Sequence, residues 1–453
     1  MIQASYNFPR SFLWGTATSS HQVEGDNRNN DWWDWEQEAD RILHGHKSGK
    51  ACDWWAGRWA EDFDRAAESF QNAHRMSIEW SRVEPSPAVW DEAALEGYRE
   101  ILLGAVERGL TPMVTLHHFT NPRWVAERGG WLNPEIDKLF KRYVEKVVAA
   151  LKDIVKLWIT INEPNVYAYS AFANGVFPPG KRDLRTLPTV IRHLIRAHAA
   201  AYHAIHRLQP SASVGLAHHY RGFEPVEGYL PINRMIANFR SRGFNNIFPR
   251  AVTDGKIRFL QMRESIAEAR GTQDYFGLNY YTAEQVSVQL TRPSDIFQVG
   301  GFADDADLSP TGWIANKPDG FWNALRWAHS YGKPIYVTEN GIEDSDDVIR
   351  SRYLASHLWQ LWRAVNFNWR VKGYFHWTLV DNFEWERGWT QRFGLWALDP
   401  RTQERTKRPA ADFFAEVCRE FKLSSDLVQR FAPEVQDQLF PPRGPAELVE
   451  RIR

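Results

Sequence analysis

Short β-branched and aromatic runs alternate along this chain with longer stretches whose apolar positions recur every three or four residues. The runs predict strands at 11–16, 75–80, 112–118, 157–163, 213–217, 275–281, 334–339 and 373–379. The helical period predicts helices at 62–70, 93–108, 135–152, 187–208, 321–330 and 351–366. Alternation of this kind implies parallel strands joined by crossover helices, and eight such units close naturally on themselves. The expected fold class is α/β, a single (β/α)8 TIM barrel over 1–453 with an additional C-terminal tail from about 424–453. A doubly wound open sheet would alternate in the same way. Against it, no Gly-x-Gly-x-x-Gly follows the first run. Gly45-His-Lys-Ser-Gly-Lys-Ala is also one residue short of a phosphate-binding loop and lacks its Ser or Thr. Neither an interdomain linker nor an internal repeat interrupts the pattern.

Two of these runs end on a glutamate. Leu157-Trp-Ile-Thr-Ile-Asn-Glu163 meets Pro164, and Pro334-Ile-Tyr-Val-Thr-Glu339 meets Asn340-Gly341. An acid that closes a β-branched run and is followed by a turn lies at a strand's carboxyl end, where parallel α/β folds bind ligands. The two are far apart in sequence, so only a fold that gathers many strand ends into one rim unites them. Two carboxyls facing each other across a sugar are what glycoside hydrolysis requires. Other strand ends carry matching chemistry. Gln22 follows the first strand, Arg75 lies on the second, His118 ends the third and Asn162 precedes Glu163. Asn279 and Tyr281 close the sixth strand, and Trp377 on the eighth leads to Glu384 and Trp385. Amides, imidazole, carboxylate and indole converging at one rim suit a polyhydroxyl ligand. Singly, Arg75 reads equally as an ordinary ion-pair residue, His118 as a core histidine and Glu384 as a solvated loop acid. Their shared position makes them a set.

Composition narrows the picture. There are 55 basic and 56 acidic residues, a net charge of −1, and no long single-sign run, so nothing points to nucleic acid or an anionic membrane. Mean hydropathy of −0.50 and the lack of a long apolar stretch argue against a simple membrane span. The amino terminus shows no charged-then-apolar leader, and Cys52 and Cys418 are the only cysteines, so a reducing cytoplasm is expected. His44-Gly-His46 and His218-His219 lack carboxylate or thiol partners; no metal and no cofactor are expected. Tryptophan is the outlier at 22 residues. Trp32, Trp33, Trp35, Trp54, Trp55 and Trp59 cluster in a segment that reads as loop, where burial and carbohydrate contact are both open readings.

Five segments carry a family resemblance. They are Phe8-Pro-x-x-Phe-Leu-Trp-Gly-x-Ala-Thr-Ser-Ser-His-Gln-Val-Glu-Gly, Thr160-Ile-Asn-Glu-Pro, Gly277-Leu-Asn-Tyr-Tyr-Thr, Val337-Thr-Glu-Asn-Gly-Ile and Asp381-Asn-Phe-Glu-Trp. In order and spacing the chain resembles glycoside hydrolase family 1, the β-glucosidase family, over roughly residues 8–420. The resemblance implies a retaining exo-β-glycosidase that removes terminal non-reducing β-linked sugars through a covalent glycosyl-enzyme. β-Glucosides are the expected substrates, with β-galactosides and β-fucosides beside them. By the same resemblance Glu339 is the nucleophile, Glu163 the acid/base, and Arg75 and Tyr281 contact the nucleophile. Asn162 reaches the 2-OH, Gln22 and Glu384 grip the outer hydroxyls, and His118 and Trp385 make further hydroxyl contacts. Trp377 forms the platform beneath the ring, Phe393 a wall, Asn279 a supporting polar group, and Trp313 (a looser match) the aglycone side. In a retaining enzyme the carboxyls lie about 5–5.5 Å apart, so ionised Glu339 keeps Glu163 protonated until the sugar esterifies Glu339.

Departures from the family pattern also matter. The usual Tyr-His-Trp-Asp-Leu-Pro is here His117-His-Phe119-Thr-Asn-Pro122, a changed entrance loop that bears on aglycone preference. Strand 2 reads His74-Arg-Met-Ser-Ile. The tail with Pro441-Pro-Arg-Gly-Pro445 extends past the family's usual end, as a packing strap, a homo-oligomer contact or a disordered segment. The 6-phospho-β-glycosidases replace the acid at Glu384, and the plant thioglucosidases lack the acid/base, so neither subclass fits. A transglycosidase using the same residues and a catalytically silent sugar-binding barrel are the remaining alternatives.

Overall fold

The computed structural model describes residues 4–226, 228, 230–259, 262–287 and 301–442. Eight parallel strands close into a barrel in sequence order: β1 (Leu13–Ala17), β2 (Ala73–Ser77), β3 (Thr111–Thr115), β4 (Leu157–Asn162), β5 (Ser213–Pro225), β6 (Phe276–Val286), β7 (Ile335–Asn340) and β8 (Val371–Trp377). β8 closes on β1, with Trp377 in register with Ala17. Each of the eight runs read from the sequence overlaps a barrel strand.

The helices show why the alternation is legible. In the helix Ile136–Leu151 the buried residues are Ile136, Phe140, Tyr143, Val144, Val147, Val148 and Leu151, a single stripe at three- and four-residue spacing. Burying an aliphatic or aromatic side chain contributes roughly 1.5–3 kcal/mol, so that stripe alone fastens the helix to the barrel wall. Leu187–Leu208 coincides with the expected helix. One apolar core lies between barrel and helices, and a smaller one fills the barrel with Ala17, Met113, Ile159, Tyr275, Phe375 and Trp377 among others.

The differences have physical causes. β2 stops at Ser77, because Trp80–Val83 is a helical turn that Glu79 caps by accepting from the Ser81 amide. β5 and β6 run on past the barrel, pairing as far as Pro225 with Val286, and stand above the rim as a ribbon. The region between them holds two helices, Pro231–Phe244 and Ile247–Asp254, and the hairpin Lys256–Phe259 with Met262–Ser265, whose short apolar stretches gave no sustained period. The tryptophan segment is not a loop throughout. Asp31–Gln37 is a helix capped by Asn30, and Trp32, Trp35 and Trp54 are buried. Trp32 packs 4.7 Å from Trp385, so its contribution is to back the rim rather than to line it.

In the tail, Lys422–Ser424 pairs antiparallel with Ser5–Asn7, and the helices Ser425–Phe431 and Gln436–Leu439 follow. Tyr6 stacks on Phe440 at 4.6 Å and lies 4.3 Å from Trp362, which straps this segment to the amino-terminal strand and the helix Arg350–Asn366. Residues 443–453 of the expected tail, with Arg443, Gly444 and Pro445 of its proline-rich motif, lie outside the described residues. Among the described residues no helix is long and apolar enough to cross a membrane, and no cluster of His, Cys, Asp or Glu is placed to hold a metal.

Candidate active site

The two glutamates occupy unlike corners at the carboxyl end of the barrel. Glu163 follows β4 directly with φ 41° and ψ 58°, a left-handed conformation that turns the chain at once into the helix Pro164–Phe172. Such a conformation costs a non-glycine residue roughly 1–3 kcal/mol and persists only where its surroundings hold it. Here the Glu163 amide donates to the Ala217 carbonyl across 2.8 Å, pinning the corner to β5. Glu339 lies within β7, opposite Asn279 of β6, just after a register irregularity that re-aims the side chain. Asn340 donates to the Tyr280 carbonyl and to Tyr353 and accepts from Tyr374, so it fastens β7 to its neighbours. A Cβ on Gly341 would come within 2.2 Å of the Trp377 carbonyl oxygen, which is why this run needs glycine there.

Arg75 organises the floor of the site. Fully buried, it donates from Nη1 to Glu339 Oε1 at 2.5 Å and from Nη2 to Asn162 Oδ1 at 2.6 Å. Tyr281 donates its hydroxyl to Glu339 Oε2 at 2.6 Å. Both oxygens of Glu339 are therefore held.

Guanidinium only donates, and this fixes the polarity of the remaining network. Asn162 Oδ1 accepts from Arg75, so the Asn279 atom 3.3 Å from it is the amide nitrogen, which also donates to Glu163 Oε1 at 2.8 Å. The Asn279 oxygen accepts from Thr338 at 2.6 Å. Asn162 turns its own amide nitrogen toward His118 Nε2 at 3.1 Å, leaving the proton of a neutral His118 on Nδ1. That Nδ1 is buried without a partner among the described residues, a donor suited to a sugar hydroxyl. Burial, helped by the charge of Arg75, holds His118 well below the usual imidazole range, so the ring is neutral.

Gln22 donates to Glu384 Oε2 at 3.2 Å and to the Phe383 carbonyl at 2.8 Å, while its oxygen accepts from Ser19. Trp377 and Trp385 lie nearly parallel to His118 at 6.0 and 5.9 Å. Phe393 sits edge-on to Tyr281 at 5.9 Å and to Trp313 at 6.1 Å. The structure thus brings together all thirteen residues singled out in the sequence. Phe119, from the altered entrance segment, is buried behind Trp385 at 5.2 Å, so this substitution touches the pocket through a backing residue.

One site residue escaped the sequence reading. His219 places Nδ1 2.7 Å from Glu163 Oε1 and lies opposite Asn279 on the neighbouring strand. The signal was present, since an inward-facing histidine near the end of a barrel strand lies in the same layer as the acids. The pair His218-His219 had been weighed only as metal ligands.

The electrostatics of the acids are coupled. Burial pushes Glu339 up to about 7, aided by the charge of Glu163 and opposed by Arg75 and Tyr281. Burial also raises Glu163, but a charged His219, the His219 and Asn279 N–H groups and Arg75 more than reverse it. Arg75 pairs directly with Glu339, so a single proton shared between the two buried carboxyls favours the one without the guanidinium. Burial and the two carboxylates hold the Tyr281 hydroxyl well above its ordinary range, so it remains a donor.

A parallel barrel with two buried carboxyls among sugar-sized donors and aromatic faces defines a glycosidase of the two-carboxylate kind. The sequence profile of glycosyl hydrolase family 1 matches residues 4–422, and the chain belongs to that family. A β-galactosidase of Pyrococcus woesei is 31% identical over 94% of this chain and 99% of its own. The structure of a β-glycosidase from Pyrococcus horikoshii superposes with a TM-score of 0.87 at 36% identity, covering 96% of this chain and all of the other. A β-glucosidase from Thermotoga maritima, solved in complex with galacto-hydroximolactam, gives 0.86 at 29% identity over 92% of this chain and 100% of its own. The protein is a glycoside hydrolase of the retaining β-glycosidase class.

Proposed function

We propose that Glu339 is the nucleophile and Glu163 the acid/base of an exo-β-glycosidase that acts on β-glucosides and also on β-galactosides and β-fucosides. The unequal support of the two acids carries this reading. Glu339 has a guanidinium on one oxygen and a phenol on the other, which favours a charged, oriented nucleophile. Glu163 receives both of its N–H donors on Oε1, leaving Oε2 to carry a proton. Glu339 attacks C1 as Oε2 of Glu163 protonates the leaving oxygen, giving an ester. Once that ester forms, the charge on Glu339 is gone, so the proton just lost from Glu163 is not driven back. Glu163 then accepts a proton from water, which attacks C1 and releases the sugar with its β configuration.

Further support comes from the pocket. His118 Nδ1, Gln22 and Glu384 offer polar contacts on one side, with Trp377 as the platform. Relatives named as β-galactosidase and β-glucosidase favour a pocket that tolerates both orientations of the 4-OH. Retention of both carboxyls disfavours a silent sugar-binding barrel, and nothing in the site favours transglycosylation over hydrolysis. Cys52 and Cys418 are both buried and unpaired, which is consistent with a reducing cytoplasm.

The test is hydrolysis of the p-nitrophenyl β-glucoside, β-galactoside and β-fucoside, with proton NMR following the first-formed anomer. The β-anomer is expected first, with turnover on all three. An α-anomer would overturn the double displacement, and a folded protein inert on all three would return the silent barrel.

A further inference from the structure

Glu163 is supported from β5 as well as from β6. His219 lies in register with Asn279, and Asn279 with Glu339, so these three side chains form one layer across adjacent strands. The His219 ring packs nearly parallel to Tyr281 at 5.9 Å and edge-on to Phe244 at 5.9 Å. Its backbone carbonyl accepts from Asn165 at 2.9 Å. The ring is thus fixed by packing before it meets the acid, and its Nδ1 reaches Glu163 Oε1 at 2.7 Å.

We propose that His219 is a positioning residue that, with Asn279, confines the catalytic proton to Oε2 of Glu163. The proposal rests on the reading of Glu163 as the acid/base. Asn279 is already committed as a donor to Oε1 by the Arg75–Asn162 chain, so Oε1 is an acceptor and His219 Nδ1 carries its hydrogen. An oxygen that accepts two N–H groups is a poor place for a proton, and the second oxygen takes it. In the glycosylation step the Oε2–H bond breaks, the leaving oxygen takes that proton, and the C1–O electron pair stays with the leaving oxygen.

His219 also sets how readily Glu163 releases its proton. A hydrogen bond to the charged form favours that form, so losing the donor raises the acid's pKa and moves the basic limb of the rate profile to higher pH. The charged and titratable groups around the pair are Arg75, Glu339 and Tyr281 within the barrel, with Glu384 further off. Arg221, paired with Glu284, lies over the Phe244 ring. Asn165 and Phe244 bring no charge of their own.

The experiment compares His219→Phe, which keeps a ring beside Tyr281 and Phe244, with His219→Asn, whose amide nitrogen can replace Nδ1. Each is assayed on methyl β-glucoside, which needs a proton on its leaving group, and on 2,4-dinitrophenyl β-glucoside, which does not. For His219→Phe, kcat/KM should fall about tenfold or more on the methyl glycoside and stay within about twofold on the dinitrophenyl glycoside. Its basic limb should move up, and His219→Asn should restore both properties. Equal loss on the two substrates, or an unmoved basic limb, overturns the proposal. His219→Leu serves the same comparison if the phenylalanine variant does not fold. Glu163→Ala, run alongside, separates the two levels. If that variant loses the methyl glycoside selectively while His219→Phe does not, only the role of His219 fails. If it loses both substrates equally, the acid/base reading itself fails.

Discussion

Arg75 and Glu339 form an ion pair at 2.5 Å in which the guanidinium is wholly buried and the carboxylate nearly so. Separating such a pair leaves an uncompensated charge, which typically costs 3–5 kcal/mol. The pair also bears on pH. Arg75 opposes the burial that raises Glu339, so Arg75→Met removes a lowering influence and the nucleophile ionises only at higher pH. The acid limb of kcat/KM should therefore move upward, with a loss of roughly 10²–10³ in rate at neutral pH. A pH–rate profile reads the sign directly. An acid limb that stays in place would assign it to some other group.

Glu339→Ala should lower hydrolysis by at least about 10⁴-fold, since removing a nucleophile leaves only binding and electrostatic catalysis. The smaller side chain leaves room on the face from which Glu339 attacks. Azide should enter there, restore turnover on an activated aryl β-glucoside and give the α-glycosyl azide. A β-glycosyl azide from this variant would place the nucleophile elsewhere.

Glu163→Ala should separate substrates by their leaving groups. General acid catalysis contributes roughly 10²–10⁴-fold, a loss expected on alkyl glycosides. On a dinitrophenyl glycoside the bond breaks unaided, and the missing base then slows release of the sugar from Glu339. A burst of dinitrophenol followed by slow turnover, with azide now giving the β-product, is the expected record. Equal loss on both substrate types would count against the assignment.

Much of this was legible because barrel chemistry is written at strand ends. A β-branched run followed by Glu163-Pro164 is both a strand and its corner, and the left-handed Glu163 is that corner made physical. The helices were legible where one apolar stripe was long, as in Ile136–Leu151. The helices Pro231–Phe244 and Ile247–Asp254 and the strands Lys256–Phe259 and Met262–Ser265 were not, because none carries a long apolar stripe and tertiary contacts override so weak a period. His219 was missed for a related reason. A histidine's role depends on what its neighbours in register present, and the Asn279–Glu163 contact that defines it joins β6 to β4, with β5 between them. For Trp32 the sequence leaves burial and ligand contact both open, and packing against Trp385 decides for burial.

Glu384 offers a test of charge against shape. Burial first, then the neighbouring charges of Glu386 and Glu339, push its carboxyl well above the usual range, which favours the protonated form. A protonated carboxyl both donates and accepts, which is what a carboxamide of the same size does. Glu384→Gln should therefore keep kcat/KM on p-nitrophenyl β-glucoside within about tenfold. Glu384→Ala should lose about 10²-fold or more, because the sugar hydroxyls it meets are left unpaired in a desolvated pocket. The difference should appear mainly in KM for weak substrates and in the affinity of a neutral sugar lactam. If the glutamine and alanine variants lose activity alike, the residue acts as a carboxylate, and binding of the sugar must draw its proton away.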